Sequence, residues 1–239
     1  MAWFIIDELI NNKNYVLTGE NAHHVIKSLR MKTNETITIC TKDNKEHLCK
    51  ITGFENNNVC LEVLSSKECL QEPSVNVTLF MSLVKSDKMD MIIQKSVELG
   101  IKEITPIITS RCISRPDKKG MDSKIKRWQK ISENAASQSR RGLIPKINSL
   151  VKLEDIDLST FDTSIVFYEN GGEQIKDIIK DTSKKIAIII GSEGGFSEDE
   201  INKIKNKGAK VATLGKRILR AETAPLVSLS AIMYETNNI

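Results

Sequence analysis

Three glycines lie within five residues in the segment Gly191-Ser192-Glu193-Gly194-Gly195-Phe196-Ser197, between an isoleucine-rich run and an acidic run. Glycine permits positive φ and lets a ligand approach the backbone closely, so the pattern favours a ligand-binding loop at the carboxyl end of a strand. A plain structural turn is the alternative, although it rarely needs three glycines. The spacing is not that of the Gly-x-Gly-x-x-Gly dinucleotide motif.

A second glycine-marked loop, residues 214–224, follows the next predicted strand and carries charged side chains before the last predicted helix. Arg220 and Glu222 flank the predicted start of the last helix, and a surface ion pair is the alternative interpretation of the two. Six residues, rather than four, separate Gly208 from Gly215, and no Ser or Thr follows the next lysine. A phosphate-binding P-loop is therefore excluded.

The elements that must position these loops change in kind near residue 72. Residues 1–72 contain short apolar runs bounded by polar turns, which predicts a small β-barrel with one helix over Ala22–Leu29. The segment Lys67–Ser74, which contains a proline, is predicted to be a linker. The predicted strands of this region are Glu35–Cys40, His47–Thr52 and Val59–Leu64.

From residue 73 to residue 239, strands and helices alternate, which is typical of an α/β domain with a largely parallel sheet. Ile186–Ile190 is wholly apolar and is predicted to be buried on both faces. Asp87 is predicted to cap its helix, and Ser197 and Glu200 form a capping-box pattern. The other predicted strands are Val75–Leu83, Glu103–Ile108, Thr163–Tyr168 and Val211–Leu214, and the predicted helices are Asp87–Leu99, Ser123–Gln138, Gln174–Lys180, Ser197–Lys207 and Thr223–Tyr234.

The net charge of +4 is unevenly distributed along the chain. Residues 85–146 carry an excess of eight positive charges, whereas the segments on either side each have a net charge of −2. This block predicts either a face that meets a polyanion or a set of solvated helix surfaces. No run of residues approaches a membrane span, the first ten residues do not resemble a signal peptide, and the odd number of scattered cysteines argues against disulfides and a metal site.

Four ordered blocks resemble the ribosomal RNA small subunit methyltransferase E family, within the SPOUT class of RNA methyltransferases. They are His23–Lys32, the run from Ser82 to Gly100 with its Lys-Ser-Asp-Lys and Gln-Lys-Ser-Val-Glu-Leu-Gly patterns, Asn134–Arg141, and the two C-terminal loops. The chain departs from the family pattern at Ser192, which replaces a proline, and at Arg140 and Asn34, which replace glycines. Asn134 and Ser137 also replace two glutamates.

The resemblance implies a PUA-like β-barrel over residues 1–72 and a methyltransferase domain over residues 73–239 with a trefoil knot near its C-terminus. It further implies methylation of N3 of a uridine in 16S ribosomal RNA, with S-adenosylmethionine bound within the knot loops. Arg220 is expected to stabilise negative charge on the uracil, and Glu222 to position Arg220 or to accept the proton. The cofactor positions it implies are Ile190, Gly191, Gly194, Leu214, Gly215, Ile218, Leu219 and Ala224.

The resemblance also implies a homodimer that acts on the 30S subunit. The scattered cysteines are typical of a cytoplasmic protein, and with the few histidines they predict no metal site. The expected RNA contacts are Arg30, Lys32, Arg111, Arg115, Arg140 and Arg141. In the closing helix, Leu226, Leu229, Ile232 and Met233 are expected either to form the dimer face or to belong to the core of one chain. Gln94, Lys95 and Glu98 serve either the active site or helix packing.

Two other functions remain open at this stage. A related SPOUT enzyme would modify transfer RNA or a ribose hydroxyl, and a non-catalytic assembly factor would bind ribosomal RNA without transferring a methyl group. The glycine loop and the Arg220–Ala224 segment argue against the second function.

Overall fold

Five strands form the first sheet in the computed structural model, which describes residues 2–239. The hydrogen-bonded order is β1-β3-β4-β5-β2, with only the β1–β3 pair parallel. Strands β1 and β2 end this order, so within residues 2–239 no backbone hydrogen bonds between these two edge strands close the sheet. The strands are β1 (Ala2–Ile5), β2 (Asn14–Leu17), β3 (Thr36–Thr41), β4 (Lys45–Glu55) and β5 (Asn58–Glu68).

The core of this sheet is formed by inward-facing aliphatic side chains, including Ile37, Ile39 and Ile51, together with Val25 from a short helical segment. That segment is α1 (Gly19–His23) followed by a π-helical turn (His24–Ser28), so the helix begins three residues earlier than predicted. Asn34 has a φ of 74°, which explains why a residue tolerant of the left-handed region stands there.

The segment Ala136–Ile144 belongs to the same compact unit as residues 2–72. Arg141 is only 3% exposed, and its guanidinium donates to both carboxylate oxygens of Glu72 at 2.6 and 3.2 Å. The Trp3 indole donates to the Arg141 carbonyl at 2.9 Å. The expectation that Arg141 contacts RNA phosphate is therefore wrong, because its charge is buried and paired within this unit.

The second compact unit, residues 73–135 and 145–239, is organised around a sheet of order β12-β10-β11-β6-β7-β8, with β9 also pairing with β7. All of its strand pairs are parallel, which agrees with the predicted α/β fold. The strands are β6 (Asn76–Ser82), β7 (Glu103–Ile108), β8 (Lys146–Ile147), β9 (Val151–Lys152), β10 (Thr163–Phe167), β11 (Lys185–Ile190) and β12 (Lys210–Ala212).

Five helices and one 3-10 turn surround this sheet. Asp87 lies inside the first turn of α2, where Lys85 is the N-cap, so its predicted capping role is wrong. Helix α3 begins five residues before the predicted Ser123, because the Asp117 carboxylate accepts the Gly120 amide at 2.9 Å. The helices are α2 (Ser86–Glu98), α3 (Lys118–Gln138), α4 (Ile175–Ile178), α5 (Glu198–Asn206) and α6 (Ala224–Glu235), with the 3-10 turn at Leu153–Asp155.

The closing helix α6 packs one part of its apolar surface into its own unit. Leu229, Ile232 and Met233 are at most 1% exposed and belong to the core, which settles the alternatives for these three residues. No helix within residues 2–239 is both long and apolar enough to cross a membrane.

The buried Arg141–Glu72 pair generates a stability prediction. Arg141→Met leaves the Glu72 carboxylate with little exposure and without its cation, so the free energy of unfolding should fall by about 3 kcal/mol in urea titrations. The exposed pair between Lys13 and Glu62 supplies the control, because solvent screens this pair and Lys13→Met should leave that free energy unchanged within the error of the titration. Equal effects of the two substitutions would contradict this assignment.

Candidate functional site

Three loops meet at the carboxyl edge of the parallel sheet. Strands β12, β10 and β11 are adjacent and parallel, so the segments that follow them emerge on the same side. These segments begin with Tyr168 after β10, with Gly191 after β11 and with Thr213 after β12. The sheet therefore brings together the two glycine-marked loops that the sequence singled out, as parallel α/β sheets generally do with their ligand loops.

The loop after β11 is a tight turn whose glycines pack against neighbouring atoms. Gly195 has a φ of +66°, and its amide donates to the Ser192 carbonyl at 2.9 Å. A Cβ on Gly191 would lie 3.1 Å from the Gly195 backbone, and one on Gly194 would lie 3.0 Å from the Arg111 side chain. A larger side chain at these glycines would therefore crowd the turn itself, and the same glycines line the adjoining cavity.

The capping box predicted at Ser197 is confirmed and fixes the far end of this loop. The Ser197 hydroxyl accepts the Glu200 amide at 3.2 Å, and the Glu200 carboxylate accepts the Ser197 amide at 2.9 Å. The other Glu200 oxygen accepts the Ser110 amide at 2.6 Å, which joins the loop after β7 to the start of α5. Glu200 therefore positions two loops at once.

The loop after β12 is anchored at both ends. Gly215 has a φ of +102°, and its amide donates to the Thr213 hydroxyl at 3.2 Å. At the other end, the Arg220 carbonyl accepts the amides of Thr223 and Ala224, each at 2.9 Å. The Arg220 backbone is thus fixed at the first turn of α6, while its side chain is 84% exposed.

A cavity of about 480 Å³ lies between these loops. Its lining is partly apolar, from side chains such as Phe167 and Phe196, and partly polar, from loop backbone and charged side chains. All eight positions expected to bind a cofactor line it: Ile190, Gly191, Gly194, Leu214, Gly215, Ile218, Leu219 and Ala224. Arg220 lines it as well.

Two charged residues from outside the two glycine-marked loops also line the cavity. Glu169 follows β10, and one of its oxygens lies 2.7 Å from the position that a Cβ on Gly195 would occupy. Lys88 lies in the first turn of α2, far from both loops in sequence, and only the fold brings it to them. No local sequence pattern predicts that Lys88 lies beside two acidic loop residues.

Lys88 forms ion pairs with carboxylates from both loops. Its ammonium lies 3.0 Å from Glu222 and 3.5 Å from Glu193, while the Arg220 guanidinium lies 4.0 Å from Glu222. The adjacent Lys88 ammonium lowers the pKa of Glu222, and the Glu222 carboxylate raises the pKa of Lys88. A carboxylate with a lowered pKa is a weak proton acceptor, so this geometry favours a positioning role for Glu222 over a general-base role.

The structure places the remaining predicted RNA contacts on the surface, but two of them also bond within the chain. Arg111 donates to the Gly194 carbonyl at 2.8 Å, and Arg115 donates to the Ser110 carbonyl at 2.9 Å. Arg30, Lys32 and Arg140 are exposed. Arg140 adopts a φ of 57°, the left-handed conformation that the glycine usual at this position takes easily.

Lys95 forms an ion pair with Glu98 at 2.9 Å on an exposed face of α2. Within the described residues, no group of three or more His, Cys, Asp or Glu side chains is arranged to hold a metal ion.

Comparison with known families gives two matches that together span most of the chain. Residues 71–233 match an RNA methyltransferase domain, and residues 17–64 match an RNA methyltransferase PUA domain.

Individual proteins are similar over nearly the full length. The ribosomal RNA small subunit methyltransferase E of Bacillus subtilis is 32% identical over 93% of this chain and 90% of its own length, and that of Buchnera aphidicola is 34% identical over 96% and 91%. A crystal structure of the corresponding Neisseria gonorrhoeae protein bound to S-adenosylmethionine is 31% identical, with a TM-score of 0.88 over 98% of this chain and 97% of that one.

The Glu200 network generates a prediction about acid stability. Burial raises the pKa of Glu200, but hydrogen bonds from Ser110 and Ser197 outweigh burial and lower it overall. A pKa that is lower in the folded state stabilises the fold above the ordinary glutamate value of about 4.3, and this stabilisation is lost as the pH falls through the folded-state value. Glu200→Gln should therefore flatten the decrease in unfolding free energy between about pH 6 and about pH 3.

The control for this prediction is Glu198→Gln, an exposed carboxylate in the same helical turn. Its unfolding free energy should follow the wild-type pH dependence in urea titrations. Parallel curves for wild type and Glu200→Gln would contradict the assigned role of Glu200.

Proposed function

The chain belongs to the ribosomal RNA small subunit methyltransferase E family, and from this premise we propose that it methylates N3 of a uridine in 16S ribosomal RNA. It is an S-adenosylmethionine-dependent ribosomal RNA methyltransferase with a PUA-like N-terminal domain. The single observation that carries the site assignment is the cavity at the sheet edge, which gathers all eight expected cofactor positions from β11, the two loops and the start of α6.

The cavity fits S-adenosylmethionine in size and character. Its volume of about 480 Å³ is in the range of small-molecule sites. Ile190, Leu214 and Leu219 supply apolar surface for an adenine ring, and the glycine loop exposes backbone donors and acceptors beside it. Side chains in place of Gly191 and Gly194 would crowd the wall of this loop.

When bound, S-adenosylmethionine supplies an electrophilic methyl group on a sulfonium sulfur. The protein must align the uridine nitrogen with that methyl group and stabilise the negative charge that the two uracil carbonyls share as N3 loses its proton. Arg220 is proposed for the second task, because its backbone is fixed and its guanidinium is exposed at the cavity. Glu222, at 4.0 Å, is proposed to attract the Arg220 side chain towards the cavity without forming a closed hydrogen-bonded pair.

The RNA surface is proposed to include Arg30, Lys32 and Arg140, which are exposed. Arg111 and Arg115 are exposed residues, although the guanidinium of each also donates to a backbone carbonyl. Both remain proposed contacts. The positive excess over residues 85–146 supports this proposal, because phosphate binding by several cations dominates affinity for RNA.

Three finer features are proposed on the basis of the family. The C-terminal segment is proposed to form a trefoil knot, the substrate to be the 30S particle in the cytoplasm, and the active form to be a homodimer. With Leu229, Ile232 and Met233 in the core, the dimer face of α6 is proposed to use the exposed side chains of Val227 and Tyr234.

The target is tested by methyl transfer to purified 30S subunits, naked 16S ribosomal RNA and transfer RNA. A methyl group on N3 blocks the base-pairing edge of uridine, so reverse transcription should stop at one position in 16S RNA, with the strongest signal from 30S subunits. Transfer to ribose or transfer RNA would support a related SPOUT enzyme instead, and S-adenosylmethionine binding without any transfer would contradict the proposed reaction.

Gly195→Ala is expected to weaken cofactor binding. The new Cβ forces an alanine into a positive φ and meets the Glu169 carboxylate, so calorimetry should show at least about a tenfold loss of S-adenosylmethionine affinity. Gly208→Ala is the matched control, because Gly208 also has a positive φ but open space around its Cβ position and does not line the cavity. A comparable affinity loss in the control would show that the effect comes from backbone strain alone.

Arg220→Ala should separate catalysis from cofactor binding. If Arg220 stabilises the charge that develops on the uracil, kcat should fall about a hundredfold while S-adenosylmethionine affinity changes less than about threefold. Single-turnover methyl transfer and calorimetry on the same preparation measure the two quantities. Equal losses in both would contradict the assigned role.

A further inference from the structure

Two cations of different exposure lie against one carboxylate at the cavity. Glu222 is held at 3.0 Å by Lys88 and lies 4.0 Å from Arg220. The Glu222 and Lys88 side chains are 15% and 24% exposed, whereas that of Arg220 is 84% exposed. The closer and more buried cation therefore neutralises Glu222, and the farther one extends into solvent.

We propose that Lys88 is a positioning residue that occupies Glu222 and so keeps the Arg220 guanidinium available for the RNA substrate. The catalytic part of this inference rests on the proposed function, whereas the competition of two cations for one carboxylate does not. Lys88 acts through Glu222 and is not assigned a contact with the reacting atoms.

An arginine whose guanidinium can align with a carboxylate binds that carboxylate more strongly than a lysine does. Its planar guanidinium forms two parallel hydrogen bonds to a carboxylate, a geometry that lysine lacks. Removing Lys88 would leave an ionised carboxylate of low exposure beside Arg220. The expected outcome is a closed Arg220–Glu222 pair, in which the positive charge of Arg220 is no longer directed towards the cavity.

The second contact of Lys88 couples this arrangement to the glycine loop. Its ammonium lies 3.5 Å from Glu193, and the same Glu193 oxygen accepts the backbone amide of Lys85 at 3.3 Å. One side chain at the start of α2 therefore joins a carboxylate of the loop after β11 to a carboxylate of the loop after β12. Lys88→Arg keeps a positive charge beside both carboxylates and is the conservative variant.

The first test measures the side-chain order of Arg220 in the full-length protein by the ¹⁵N heteronuclear NOE of its Nε–H group, which requires no RNA. In wild type this group should be mobile. In Lys88→Gln it should become ordered, and in the double variant Lys88→Gln/Glu222→Gln it should be mobile again. Lys95→Gln, which removes an exposed ion pair from the same helix, should leave the NOE unchanged.

The second test measures methyl transfer by the same variants. Lys88→Gln should lower kcat about tenfold, with the KM for S-adenosylmethionine changed less than about threefold, and Lys88→Arg should restore most of the loss. In the Glu222→Gln background, removing Lys88 should change kcat by less than about twofold, because no carboxylate remains to capture Arg220.

The outcomes distinguish this inference from the proposed function. If Arg220 is equally mobile with and without Lys88, or if the losses from Lys88→Gln and Glu222→Gln multiply, the inference is overturned. If wild type transfers no methyl group to 16S RNA while Arg220 still becomes ordered in Lys88→Gln, the competition stands and the proposed reaction fails.

Discussion

The site depends on the burial of β11 between two parallel neighbours. Every residue of Ile186–Ile190 is at most 2% exposed, and the strand pairs with β10 on one side and β6 on the other. Each buried isoleucine contributes about 1.5–3 kcal/mol relative to an exposed one, so the end of this strand is held rigidly. The glycine loop begins at that end, and the loops after β10 and β12 lie beside it because their strands are aligned with the same sheet.

At this edge of the sheet, two carboxylates of low exposure have close partners of their own, while the Arg220 guanidinium is exposed. Glu222 lies closer to the Lys88 ammonium, at 3.0 Å, than to the Arg220 guanidinium, at 4.0 Å, whereas Glu200 accepts backbone amides. The Arg220 backbone is fixed through its carbonyl, whereas its guanidinium is largely exposed. A cation with a fixed backbone and an exposed guanidinium can stabilise a transient anion on an RNA substrate.

Local patterns predicted most of the second unit, and non-local contacts account for what they missed. The apolar run of β11 and the capping box at Ser197 carry their signal within a few residues. Strands such as β1 and β8 are short and pair with distant partners, so no local pattern marks them. Arg141 was misassigned because a sequence shows charge but not burial, and the Lys88 contacts required the fold to bring α2 to the loops. The cofactor positions came from family resemblance, not from composition.

The most direct test of this account is a crystal structure of the protein grown with S-adenosylmethionine. Electron density for the cofactor is expected in the cavity between residues 191–197 and 213–223, with Lys88 still bridging Glu193 and Glu222 and with the Arg220 guanidinium no closer to Glu222 than the present 4.0 Å. Cofactor density elsewhere, or a closed Arg220–Glu222 pair with Lys88 in place, would contradict it.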